Sequence, residues 1–263
     1  MQALFGETVF RVTKDVYFNS NTIDMKLDNF DLRFAVIRLP NVLEKIMKDP
    51  QWHNKIFVGG GYLRSIASGE TINDVDVFVP SVQDGELLAY KLCNKKEDVY
   101  KTDNAYTIKG KMSMQVIHRW IFDRPESVSE SFDFTVCCAV IFFNGNTFDS
   151  YCDDRFYVDL ASKRLVYRSP QRNEDAGGSM LRVLKYYQKG YRIPLDSMGK
   201  VIARLIHVID TNKVPLSDEI QVAKIITGLL RVVDPAIDPL HEAHLPSSEE
   251  VENPEITEKP IEQ

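Results

Sequence analysis

Residues 56–80, IFVGGGYLRSIASGETINDVDVFVP, decide the reading of this chain. The apolar run Ile56-Phe57-Val58 has strand character, and three glycines, Gly59 to Gly61, follow it directly. A helix-like segment runs from Tyr62 to Ala67. Asp74-Val75-Asp76-Val77-Phe78-Val79 then alternates carboxylate with apolar residue before turning wholly apolar. Period-two alternation predicts a strand, and a strand sends Asp74 and Asp76 to the same face. Two carboxylates side by side repel unless a cation lies between them, and magnesium, a hard ion with oxygen ligands, meets that need. Glycines let backbone N–H groups come close to a phosphate, and the start of a helix favours anions. Arg64, one turn into that helix, adds a positive charge. A phosphate cradle and a carboxylate pair in one stretch are the ingredients of metal-assisted phosphoryl transfer.

The combination resembles the nucleotidyltransferase head of class II CCA-adding enzymes and bacterial poly(A) polymerases, in the polymerase-beta superfamily. The family pattern Gly-Gly-x-Val-Arg-Asp, a later Gly, then Asp-x-Asp falls on Gly60, Gly61, Leu63, Arg64, Ser65, Gly69, Asp74 and Asp76. Ser65 stands where the family has Asp. A second segment, SFDFTVCCAVIFF at 131–143, is similar to the family's Arg-Arg-Asp-Phe-Thr-Ile-Asn-Ala-Leu, with Asp133, Phe134, Thr135, Val136 and Ala139 matching. Ser131 and Phe132 occupy the places of the two arginines, which in the family help hold the nucleotide. Asp133 has two readings: an added carboxylate near metal or nucleotide, or a strand-entry residue bonded to nearby backbone.

Phe148 to Tyr167 carries the likeness onward as a connection from the sheet to the next helices. Asn173 to Ile193, NEDAGGSMLRVLKYYQKGYRI, resembles the family's neck helix. Met180, Leu184, Tyr187 and Tyr191 are spaced as its apolar stripe. Arg182, Lys185 and Lys189 lie on another face, readable as a contact to nucleotide phosphate or RNA, or as a solvated surface. Aligned on Met180-Leu181-Arg182, Glu174-Asp175 sits one residue out of register, and Ser179 replaces the family's first Arg. In the family that Glu-Asp and Arg select ATP and CTP.

The rest of the chain is read from composition and periodicity. Its 263 residues allow one large domain or two small ones, and 44% hydrophobic content supports a real core. The formal net charge of −6 argues against a generally basic nucleic-acid binder. The stretch from Asp234 holds nine Asp or Glu and one Lys, so an acidic, proline-rich tail follows a mildly basic body. Four cysteines without CxxC spacing read as free thiols of a reducing cytosol. No signal-like start and no bilayer-length apolar run is present in the sequence.

Helices are expected at Leu39–Asp49, Val82–Asn94, Met198–Asp210 and Ser217–Val233. Short strands are expected at Glu7–Val12, Lys55–Val58, Val99–Thr102, Ala105–Ile108 and Met112–His118, with turn residues at Asn19-Ser20-Asn21. Most of residues 1–38 has no clear assignment. The expected fold is α+β, a small mixed β-sheet nucleotidyltransferase head with a helical C-terminal part. Its divisions are a head with N-terminal extension at 1–170, a helical neck at 171–233 and a disordered acidic tail at 234–263.

The resemblance implies transfer of a nucleoside monophosphate from an NTP, ATP or CTP, to a hydroxyl, with release of pyrophosphate. Asp74 and Asp76 would hold Mg2+ and act with Asp133 as the catalytic carboxylates. Gly60, Gly61, Arg64 and Arg182 would bind the nucleotide. An RNA 3′ end, tRNA-like, is the acceptor the family implies, and a protein or small-molecule acceptor stays open. So does a degenerate fold that binds nucleotide or RNA without chemistry. A cytoplasmic protein without membrane association is expected, and its oligomeric state is not read from the sequence.

Overall fold

The computed structural model describes residues 10–11, 25–93, 95–168, 176–233 and 259–260. The described residues fall into two compact units. The first holds those between Met1 and Phe132, Val136–Leu160 and Glu258–Gln263; the second holds Asp133–Thr135 and those between Ala161 and Thr257. Asn19-Ser20-Asn21, Glu174-Asp175 and nearly all of the acidic stretch after Asp234 lie outside the described residues, as does most of the strand expected at Glu7–Val12.

The first unit is built on a mixed sheet. Its strands are β2 (Phe57–Gly59), β3 (Asp74–Phe78), β4 (Val99–Lys101), β5 (Ala105–Ile108), β6 (Ser113–Ile117), β8 (Ala139–Phe143), β9 (Phe148–Cys152) and β10 (Lys259–Pro260), in the order β10-β4-β5-β6-β3-β2-β8-β9. A two-residue β1 (Phe10–Arg11) pairs with β7 (Trp120–Ile121) apart from it. The helices of this unit are α1 (Asn29–Arg38), α2 (Asn41–Met47), α3 (Gly61–Ser68), α4 (Val82–Leu92) and α5 (Pro125–Glu130), followed by most of α6 (Phe156–Ala161).

Strand β3 is central, antiparallel to β2 and parallel to β6. Its alternation sorts the two faces as the sequence requires. Val75 and Val77 are fully buried, together with Val58 and Val116. Helix α4 covers that side: a Cβ at Gly85 would lie 3.3 Å from Val79 and 3.7 Å from Val116, so the missing side chain lets helix and sheet approach closely. On the other face Phe57, Phe78, Ile117 and Val140 form an apolar cluster with Phe122 and with Val128 of α5. Asp74 and Asp76 share this second face at its other end, because side chains two apart along a strand point the same way.

Helix α1 fell in the stretch that the sequence left unassigned. Asp28 caps it, its side chain accepting from the Phe30 N–H at 2.8 Å. Its apolar residues lie all round the helix: Ala35 is buried while Phe30 and Ile37 are 74% and 76% exposed, so no stripe announces it. The four cysteines are free. Burial, with the Asp153 charge adding, pushes the Cys152 thiol up to about 12, which leaves it protonated and unreactive at neutral pH.

The second unit is helical: α7 (Ala176–Gln188), α8 (Leu195–His207) and α9 (Glu219–Val233). Its α7 corrects the expected stripe. Leu184 and Tyr187 are 42% and 57% exposed, whereas Leu181, Val183 and Tyr186 are buried with Gly177, Gly178 and Ser179. A one-residue shift turns a helix by about 100°, and small residues on the buried side leave no apolar signal to fix the phase. Tyr191, at the far end of the expected stripe, is fully buried against Tyr186. Leu181→Ala is therefore expected to cost about 2–5 kcal/mol in urea denaturation, as a buried large-to-small change does. Leu184→Ala should cost under about 1 kcal/mol; the reverse ranking would restore the expected stripe.

Candidate functional site

The site begins with a turn that only glycine fits. Strand β2 ends at Gly59, and Gly60 adopts φ +71°, ψ −133° before α3 starts at Gly61. A Cβ at Gly60 would lie 2.8 Å from Cε1 of Phe132 and 3.7 Å from Oδ2 of Asp76. One at Gly59 would lie 2.9 Å from the Ala139 carbonyl and 3.2 Å from the same ring. At Gly61 it would meet nothing within 4 Å. The chain thus bends tightly under an aromatic ring and enters α3 at a glycine with room beside its Cα; a helix start is where an anion is favoured.

The carboxylates come from β3, on the strand beside that turn. In the β2–β3 register Gly59 lies opposite Asp76, which brings the Asp76 carboxylate beside Gly60. In the β3–β6 register Asp74 faces Ser113 and Asp76 faces Gln115. The Gln115 side-chain amide donates to Asp74 Oδ2 at 3.3 Å and fixes its direction. Both carboxylates are half-buried, between water and the sheet. Among the described residues no group of three or more His, Cys, Asp or Glu is arranged to hold a metal ion. Two carboxylates alone suit magnesium, which keeps several waters and completes its shell with substrate phosphates.

Phe132 marks the boundary between carboxylates and core. Its ring packs edge-on against Phe78 at 5.7 Å and covers Gly59 and Gly60. One sheet face is therefore divided, with aromatic packing on one side of Phe132 and carboxylates on the other.

The other expected residues have different surroundings. Arg64 is 4% exposed and turned inward: its Nη1 pairs with Glu70 at 3.1 Å and its Nη2 donates to Ser65 Oγ at 2.9 Å. It is not presented to solvent as a phosphate contact would be. Asp133 lies in the second unit, 5% exposed, where its Oδ2 accepts from Ser179 Oγ at 3.0 Å and from Arg182. Its backbone carbonyl accepts from the Arg168 N–H at 2.8 Å. Asp133 and Arg182 are thus each other's partners, and with Ser179 they fasten α7. Asp74, Asp76, Gly60 and Gly61 are brought together in the first unit.

Gln115 and Glu70 were not singled out by the sequence reading, and Phe132 and Ser179 were noted only as standing where the resembled family has arginines. A signal existed for Gln115: the alternation Met112, Met114, Val116, His118 puts Ser113 and Gln115 on the opposite, polar face of their strand.

This arrangement, a mixed sheet with a glycine turn beside an Asp-x-Asp strand, is a nucleotidyltransferase-like fold. The Thermotoga maritima CCA-adding enzyme complexed with tRNA matches it with a TM-score of 0.51, over 70% of this chain and 47% of that one, at 18% identity. An apo form of a CCA-adding enzyme gives 0.49 over 70% and 49%, at 15% identity. At 18% identity the first of these speaks for the fold alone. The family model described as Gabija anti-defense 2 family protein matches residues 36–163. Among curated proteins, Gabija anti-defense 2 of Bacillus phage SPbetaL7 is 27% identical over 158 residues, 57% of this chain. The match spans 37% of that relative's length. No described helix is long and apolar enough to cross a membrane.

The turn gives a paired test. Gly60→Ala should cost about 1–3 kcal/mol from backbone strain, beyond its clash with Phe132. Gly61→Ala, at an open helix start, should stay within about 1 kcal/mol of the parent, in the stabilising direction. Chemical denaturation of the two variants checks this, and equal losses would contradict the turn geometry.

Proposed function

We propose that this chain is a magnesium-dependent nucleotidyltransferase that moves a nucleoside monophosphate from ATP or CTP to a hydroxyl, with an RNA 3′ end as acceptor. The observation that carries the reading is the Asp74–Asp76 pair on one face of β3, with the Asp76 carboxylate beside the Gly60 turn. In the reaction the acceptor hydroxyl gives up its proton to solvent, its oxygen bonds to the α-phosphorus, the bond from that phosphorus to the bridging oxygen breaks, and pyrophosphate leaves with the electron pair of that bond. Bound magnesium would lower the pKa of the attacking hydroxyl and neutralise the leaving phosphates. Asp74 and Asp76 supply the oxygen ligands, Gln115 aims Asp74, and the backbone N–H groups at the start of α3 receive the triphosphate.

Arg64 acts one step back in this scheme, holding α3 through Glu70. Asp133 and Arg182 fix α7. The acceptor is taken from the resemblance to CCA-adding enzymes. The name of the phage relative adds a purpose: transfer of a nucleotide to a component of a defence that the protein opposes, so that the modified molecule is no longer active.

The test is incubation with each labelled NTP, magnesium and total RNA or lysate. Asp76→Asn should abolish labelling while melting at or slightly above the parent without magnesium, because one of two like charges is gone. Gln115→Ala, which leaves both carboxylates but loses the aim of Asp74, should lower transfer about 10- to 100-fold. With magnesium and NTP at about 100 times the dissociation constant, the parent should gain about 2.7 kcal/mol by linkage and Asp76→Asn less. Equal transfer by parent and Asp76→Asn would sink the mechanism. No transfer by the parent, with protection by nucleotide that ignores magnesium, would identify a binder without chemistry.

A further inference from the structure

The second unit carries a surface that the transfer reading does not use. Residues 161–233 hold thirteen Lys or Arg against six Asp or Glu, a net of +7 in a chain whose total is −6. Part of that charge is concentrated where the chain after α6 meets the segment after α7. Arg164 and Arg192 are partners in an isolated parallel β-bridge, and both are exposed. Backbone bonds lock the two segments together: Leu165 N–H donates to the Arg192 carbonyl and Arg192 N–H to the Lys163 carbonyl, each at 2.8 Å. Like charges placed directly opposite across a β pair are destabilising. Here they line an open surface depression of about 340 Å³ with Lys163, Ser162, Ile193 and Pro194, a lining that includes no carboxylate.

Aromatic rings back the cations. The Arg192 guanidinium lies 4.6 Å from the centre of the Tyr187 ring while its Nη1 donates to the Tyr191 carbonyl at 3.0 Å. The Lys163 ammonium lies 4.5 Å from the Tyr191 ring. Tyr191 is fully buried, so its ring only supports Lys163, but Tyr187 is 57% exposed. An exposed aromatic ring beside clustered guanidinium groups offers a base a stacking partner while the cations take the flanking phosphates. Inorganic phosphate would use the charges and leave the ring idle; a duplex keeps its bases stacked inside and would do the same.

We propose that Arg164, Arg192, Lys163 and Tyr187 form a binding surface for single-stranded nucleic acid, whose phosphates offset the like charge across the bridge. The surface stands on the second unit's own geometry; its one link to the transfer reading is that a single-stranded RNA end would serve both.

The full-length chain is titrated by fluorescence anisotropy into a labelled single-stranded RNA of about twelve nucleotides, within the range of site sizes for such proteins. The same RNA as a duplex, and inorganic polyphosphate as a competitor, complete the series. Arg164→Ala/Arg192→Ala should weaken single-strand binding at least tenfold and lower the slope of log affinity on log salt by about 1.4, roughly 0.7 for each phosphate contact. Tyr187→Ala should weaken single-strand binding at least fivefold, leave competition by polyphosphate unchanged, and be rescued by Tyr187→Phe. Magnesium-dependent protection by NTP should be unchanged in Arg164→Ala/Arg192→Ala, which separates failure of this surface from failure of the transfer chemistry. Unchanged affinity in the double arginine variant would overturn the proposal. Loss in that variant with no effect of Tyr187→Ala would also overturn it, identifying a site for inorganic polyanions. Tighter binding of duplex than of single strand would do the same.

Discussion

At Gly60 the chain must leave a strand, reverse, and enter a helix beneath an aromatic ring, in a volume with no room for a methyl group. The positive φ and the 2.8 Å approach of Phe132 impose the same requirement from two directions, backbone and packing. Helix α3 and the carboxylate site both depend on that turn. It starts α3 at Gly61, where an added Cβ would meet nothing within 4 Å. It also keeps β2 in register with β3, so that Gly59 lies opposite Asp76 and the carboxylate beside Gly60. A residue with a side chain at position 60 would have to adopt a strained positive φ and push the Phe132 ring aside, disturbing its packing on Phe78.

The sheet face that carries the site is apolar at one end and acidic at the other, and Phe132 lies between. Carboxylates this close to a packed aromatic cluster are costly to desolvate unless they stay wet or gain partners. Asp74 has Gln115, and both remain half-buried. A pair of acids held together without a surrounding cage of ligands leaves positions for water and for substrate oxygens, which is how magnesium is commonly held in phosphoryl transfer. Were magnesium held here as proposed, substrate phosphates would have to complete its coordination shell.

Much of this was legible in the sequence, for a physical reason. Alternation in β3 is driven by burial on one face, so Val75 and Val77 announce the strand while Asp74 and Asp76 announce what is different about it. The glycines were legible because only a tight turn or a close approach calls for them. Two features were not. The buried side of α7 begins with Gly177, Gly178 and Ser179, which have no apolar surface to report, so the phase was drawn instead through Leu184 and Tyr187, both exposed. Arg64 and Asp133 match motifs of the enzymes that the sequence resembles, and a motif fixes residue type without fixing direction. Glu70 turns the first inward, and Ser179 with Arg182 engage the second. Tyr187 would be an anomaly on an ordinary helix surface, but with Arg192 stacked upon it the ring is one side of a charged patch.

As proposed, Asp74 and Asp76 together would hold a divalent ion at the glycine turn. Crystals of the chain grown with manganese and a non-hydrolysable NTP test this directly, because manganese gives an anomalous signal that locates it without ambiguity. An ion held by the pair should give a peak within about 2.2 Å of an oxygen from each carboxylate, with the triphosphate on the backbone N–H groups of Gly61 and Tyr62. A manganese ion bound away from β3, or a nucleotide seated with its phosphates remote from the Gly60 turn, would contradict it.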